Sequence, residues 1–133
     1  MKAYIAIKFH PDHSNRQVIH DISSGLAAAG YETMSMQRDV EKYGSEPTLP
    51  PGELMKLTFE MIDSCQLVVV ELTEKGVGLG IEAGYAYAKG IKIVTIAKMG
   101  SDISATLRGI SDQVLLYDEG ELSGLFKDLA LHN

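Results

Sequence analysis

The sequence predicts an α/β domain with a doubly wound, five-stranded parallel sheet and helices on both faces. Strand-sized apolar runs recur along the chain, the clearest being Leu67-Val68-Val69-Val70 and the stretch from Ile91 to Ala97. Between them lie segments whose apolar residues return every three or four positions, the helical period. Near-continuous apolar strands alternating with such segments indicate a parallel sheet covered on both sides. A chain of 133 residues forms one domain, 1–133, and is long enough to bury a core.

Residues 3–9 read as the first strand. Residues 15–29 are helical, with Val18, Ile22, Leu26 and Ala29 on one face, and Gly30 ends the helix as its C′ residue. Residues 31–36 form the second strand. Residues 37–52 carry charge, two glycines and three prolines without a period, so they read as a long loop in which Pro50-Pro51 forbids regular structure. A helix over 52–64 presents Leu54, Leu57, Met61 and Ile62, and a strand at 66–72 follows. A glycine-rich turn then feeds a small-residue helix near 79–89, with Glu82 in its first turn. Residues 91–97 and 113–117 are the last two strands, separated by a short segment from Ser104 to Gly109. A helix from Glu119 to about Leu131 closes the domain. The crossovers are expected to be right-handed, and the strand order expected is flavodoxin-like, 2-1-3-4-5. Ligands of such sheets bind beyond the carboxyl ends of the strands where the winding reverses, here between strands one and three. Segments 9–16, 71–82 and 98–104 meet there, and 37–52 would close over them as a lid.

The net charge of −6 excludes a nucleic-acid polymer as partner, because phosphate chains need a basic face. It leaves room for a small anion held by backbone amides. The apolar runs are too short for a membrane helix, and the first nine residues lack the apolar stretch and cleavage site of a signal peptide. A cytoplasmic protein with no membrane partner is expected. The single cysteine, Cys65, permits no internal disulfide and reads as a small buried hydrophobe. No thiol or histidine cluster suggests a metal, and no cofactor is expected.

Glycines at 76, 78, 80 and 84 clear side chains from the backbone around Glu82. Two readings follow: a carboxylate facing a ligand that approaches the backbone, or an acid favoured by the helix N-terminus beside packing glycines. The segment Gly76-Val77-Gly78-Leu79-Gly80-Ile81-Glu82-Ala83-Gly84-Tyr85-Ala86 resembles the nucleophile segment of the nucleoside 2-deoxyribosyltransferases and of the related 2′-deoxynucleoside 5′-phosphate N-hydrolases. A second stretch, from Ser104 to Val114, resembles the family's segment after strand four. The resemblance implies an enzyme that transfers or hydrolyses the N-glycosidic bond of a 2′-deoxynucleoside or its 5′-monophosphate. Glu82 would be the nucleophile attacking C1′, as in a retaining glycosidase. Tyr85, one turn on, would orient it, or would pack in the core. Ser104 would reach a ligand held by a neighbouring subunit, making a homodimer or larger homo-oligomer the active unit; otherwise it caps the turn that follows.

The chain departs from the family at two aspartates, whose aligned positions hold Thr58 and Gly76. Glu60, Asp63, Glu71 and Glu74 lie near enough in sequence to substitute, and Glu71 stands at the carboxyl end of strand three. It reads either as the replacement acid or as a strand-end acid with an ordinary polar partner. The loop after strand one offers Phe9 for stacking and His10, His13 and Arg16 as cations for a phosphate, although Asp12 opposes an anion. Gly76, Gly78 and Gly80 complete the expected binding segment. The competing reading is a nucleotide-binding or sensor module of the same fold without chemistry. A phosphoacceptor receiver would need an aspartate where Glu71 stands, and a flavin carrier would need aromatics flanking a phosphate loop.

Overall fold

The computed structural model describes residues 1–132. Five parallel strands form one sheet in the order β2-β1-β3-β4-β5, as the sequence predicts. They are β1 Lys2–Ile7, β2 Glu32–Met34, β3 Leu67–Glu71, β4 Lys92–Lys98 and β5 Gln113–Tyr117. The helices are α1 Arg16–Ala28, α2 Pro51–Asp63, α3 Val77–Ala88 and α4 Ala105–Ile110.

Alternation along the strands sorts the core into two layers. Ala3, Ile5, Leu67 and Val69 face α1, which contributes Ile19, Ile22 and Leu26, and the C-terminal segment adds Leu122, Phe126 and Leu129. Tyr4, Ala6, Val68 and Val70 face the other way, toward Met61 and Ile62 of α2 and Leu79, Ala83 and Ala86 of α3. Every residue of β3 is buried because it lies mid-sheet between both layers. Each aliphatic side chain so placed contributes about 1.5–3 kcal/mol of burial energy.

Four local readings need correction. The segment after β2 is not irregular: Met36–Val40 makes a π-type turn, closed by Glu41 N–H donating to the Met36 carbonyl at 3.0 Å, and Lys42–Gly44 makes a 3-10 turn. Ser35 caps it, its Oγ accepting from Arg38 N–H while its own N–H donates to Asp39 at 2.9 Å. Pro51 opens α2 instead of blocking it, since the first helical residue needs no N–H partner. Helix α3 begins at Val77, which moves Glu82 into its second turn, beyond the main reach of the helix N-terminus. The expected C-terminal helix is two 3-10 segments, Leu122–Gly124 and Lys127–His132. Gly120 (φ +85°) interrupts it near its start, and the chain presses onto α1 at Gly25, where an added Cβ would lie 2.7 Å from the Ser123 carbonyl. Among the described residues no helix is long and apolar enough to cross a membrane.

Candidate active site

Helical spacing puts Glu82 on the side of α3 that carries Leu79, Ala83 and Ala86, against the sheet. A carboxylate there loses most of its water, and burial pushes its pKa up to about 7. The one opposing influence is Tyr4 of β1, whose hydroxyl donates to Glu82 Oε1 at 2.8 Å. Burial first, and then the Glu82 carboxylate, hold the Tyr4 phenol well above its ordinary pKa, so it remains a donor. Glu82 Oε2 accepts no hydrogen bond among the described residues, and no buried side-chain oxygen there is left unpaired. That oxygen is therefore open to the cavity that Glu82 lines.

The cavity holds about 260 Å³ and lies where α3 starts, beside the carboxyl end of β1. Gly76, Gly78 and Glu82 form one wall, Tyr4, Lys8 and Phe9 another, and Leu54, Met55 and Thr58 of α2 a third. Ser35, Met36, Gln37 and Glu41 form the roof, so that of the segment 37–52 expected as a lid Gln37 and Glu41 line the cavity. An added Cβ at Gly78 would meet nothing within 4 Å, and one at Gly76 only Lys8 methylenes at 3.9 Å. These glycines therefore leave open space instead of packing against a neighbouring element.

The roof is tied down by a pair of buried amides. Asn15 Nδ2 donates to Gln37 Oε1 at 3.1 Å, and Gln37 Nε2 returns a bond to Asn15 Oδ1 at 3.0 Å. Gln37 Nε2 also meets His13 Nδ1 at 3.0 Å, and the His13 ring packs edge-on against Tyr43. His13, Lys42 and Tyr43 all have positive φ, a conformation that non-glycine residues adopt at a cost. Strained backbone on both sides of this contact is a feature of functional sites.

The sequence-derived candidates divide. Glu82, Gly76, Gly78 and Phe9 line one cavity, with Phe9 half-exposed. Gly80 is exposed and does not line it. Tyr85 stacks on Phe59 with centroids 4.2 Å apart and donates to Asp63 at 2.7 Å; the tyrosine that holds Glu82 is Tyr4. Glu71 shares the sheet face of Leu67 and Val69, opposite to that of Tyr4. Its carboxylate accepts from Tyr117 hydroxyl and from Thr73 N–H and Oγ, which spends it on structure. It lines a separate cavity of about 220 Å³ together with His10, Lys8 and Lys98. His10 there bonds Ser14 and Glu74, and Arg16 lies over the Tyr43 ring at 4.5 Å. Ser104 caps α4, accepting from Leu107 N–H, and bonds Thr106 at 2.6 Å. Thr58 turns its hydroxyl back to the Leu54 carbonyl.

Sequence reasoning missed Tyr4, Lys8, Gln37 and Glu41. Only the register of β1 beside β3, and the π-type turn, bring them to Glu82. Among the described residues no cluster of three or more His, Cys, Asp or Glu side chains is arranged to hold a metal ion.

Comparison with known proteins points the same way as the residues. No family model matches the chain. It is 22% identical over 113 residues to a Thermofilum pendens protein named as a 2′-deoxynucleoside 5′-phosphate N-hydrolase, covering 84% of this chain and 79% of that one. The CMP N-glycosidase of Clostridium botulinum superposes with a TM-score of 0.68 at 21% identity, over all of both chains. The 2-deoxyribosyltransferase of Bacillus psychrosaccharolyticus also gives 0.68, at 16% identity, over 86% of this chain and 85% of that one. The chain thus has the fold of the nucleoside 2-deoxyribosyltransferases, with Glu82 and Tyr4 hydrogen-bonded in the lining of its cavity.

Proposed function

We propose that this protein is an enzyme that cleaves the N-glycosidic bond of a 2′-deoxynucleoside or its 5′-monophosphate through a glycosyl-enzyme on Glu82. The observation that carries the reading is a desolvated carboxylate with one oxygen held by Tyr4 and the other open to a cavity. Such a carboxylate is costly to bury, and that cost is usual where it does chemistry. Glu82 Oε2 attacks C1′ as the C1′–N bond breaks, its electron pair leaving with the base. Water, or the nitrogen of a second base, then attacks C1′ and returns the ester electron pair to Glu82. The apolar side chains of Leu54, Met55 and Phe9 suit the flat face of a base, and Lys8 places a cation at the edge for a 5′-phosphate.

The test is chromatographic detection of free base from a panel of 2′-deoxynucleosides and their monophosphates, with and without an acceptor base, alongside Glu82→Ala. Release that needs Glu82 supports the chemistry, and the acceptor lanes separate transfer from hydrolysis. Nucleotide binding without release would favour a binding or sensor module instead. We further propose a homodimer or larger assembly, consistent with the exposed Val77 and Ile81 of α3. Sedimentation of a fully active monomer would contradict it.

A further inference from the structure

We propose that Glu41 is the second catalytic carboxyl of this site, donating the proton that the departing base takes up. The inference rests on the N-glycosidic reading. Displacing a neutral base from C1′ leaves negative charge on its ring unless an acid protonates it, so a lone nucleophile leaves half of the reaction unassisted. Glu71, the acid favoured by sequence position, is spent on Tyr117 and Thr73 across the sheet. Thr58 and Gly76 bring no acid. Among the residues lining the cavity, the carboxylates are Glu82 and Glu41.

The setting of Glu41 suits this role. Its backbone is fully engaged, with N–H donating to Met36 and carbonyl accepting from Gly44 and Glu46, so the residue is fixed in the roof. Its carboxylate makes no hydrogen bond or ion pair among the described residues, in contrast to Glu71. It lines the same cavity as the Tyr4 phenol and Glu82. Glu82 comes from α3 and Glu41 from the segment that follows β2, so the two carboxyls reach the cavity from different elements.

The steps balance. Glu82 attacks C1′ as carboxylate, the C1′–N pair moves into the base, and the Glu41 proton goes to the base ring. Water then adds to C1′, gives a proton to Glu41, and frees Glu82 as the ester bond breaks.

The test compares Glu41→Gln and Glu41→Ala with wild type on two deoxynucleotides. One carries the preferred base, and the other an activated base that leaves without protonation, such as an N7-methylated purine or a 5-nitropyrimidine. Base release from the ordinary substrate should fall about 10²- to 10⁴-fold, while release from the activated one should fall less than about tenfold. Equal loss on both substrates would reduce Glu41 to a binding contact, and full activity on both would remove it; either overturns the proposal while leaving Glu82 in place. Glu82→Gln should abolish both reactions. A wild-type protein that releases neither base would bring down the N-glycosidic reading itself, and this inference with it.

Discussion

Replacing Glu82 with glutamine isolates what it costs to keep a carboxyl in the cavity wall. The amide preserves shape and still accepts the Tyr4 hydroxyl, but it never ionises. In the unfolded chain the carboxyl titrates near 4.5, and in the folded protein at about 7. Below the lower value both states are protonated and there is no penalty. Between the two values the folded state keeps a proton that the unfolded state has released, so stability falls as pH rises. Above about 7 both are ionised and the penalty is constant. The gap corresponds to about 3 kcal/mol. Glu82→Gln should therefore match wild type near about pH 4 and exceed it by about 2–3 kcal/mol near about pH 8, read from urea unfolding midpoints. The same difference at both pH values would refute the argument, because a packing effect does not titrate. A variant less stable at the higher pH would show that Tyr4 outweighs desolvation.

Other consequences can be checked independently. Tyr4→Phe removes the one favourable contact to ionised Glu82, so the Glu82 titration observed by NMR should move up by about one unit or more. Glu71→Gln sets an amide donor against groups that already donate, and should cost about 1–3 kcal/mol in denaturant while leaving turnover near wild type. Loss of turnover without loss of stability would return Glu71 to the chemistry. Gly25→Ala forces a methyl against the Ser123 carbonyl and the Phe126 ring at 2.7 and 2.9 Å, and should lower thermal stability by about 1–3 kcal/mol.

The sheet was legible because period and punctuation agree: β3 and β4 are apolar throughout, and Gly30 and Gly90 sit past the ends of α1 and α3 with positive φ. Glu82 was legible because its glycine context is local in sequence. Its partners were not. Tyr4 looks like any aromatic in a strand until the order of β1 and β3 sets it across from α3, and Glu41 looks like a loop charge until a π-type turn fixes it in the roof. The surroundings of Glu71 were hidden for the same reason. Its place at a strand end says nothing of which face it takes, and alternation from Leu67 assigns it to the layer with Tyr117. The C-terminal helix failed because its apolar residues keep helical spacing while Gly120, at φ +85°, breaks the backbone near its start and two short 3-10 segments follow.

The Asn15–Gln37 pair has a kinetic consequence. It joins segments 22 positions apart through two reciprocal bonds, both buried. Breaking one bond strands the other carboxamide away from water, so partial release gains little. The first loop and the roof should therefore open as one cooperative unit, and the amide protons of both should exchange with a common opening free energy. Because the pair carries no charge, added salt would leave that opening nearly constant even as it weakens the attraction of an anionic ligand to Lys8.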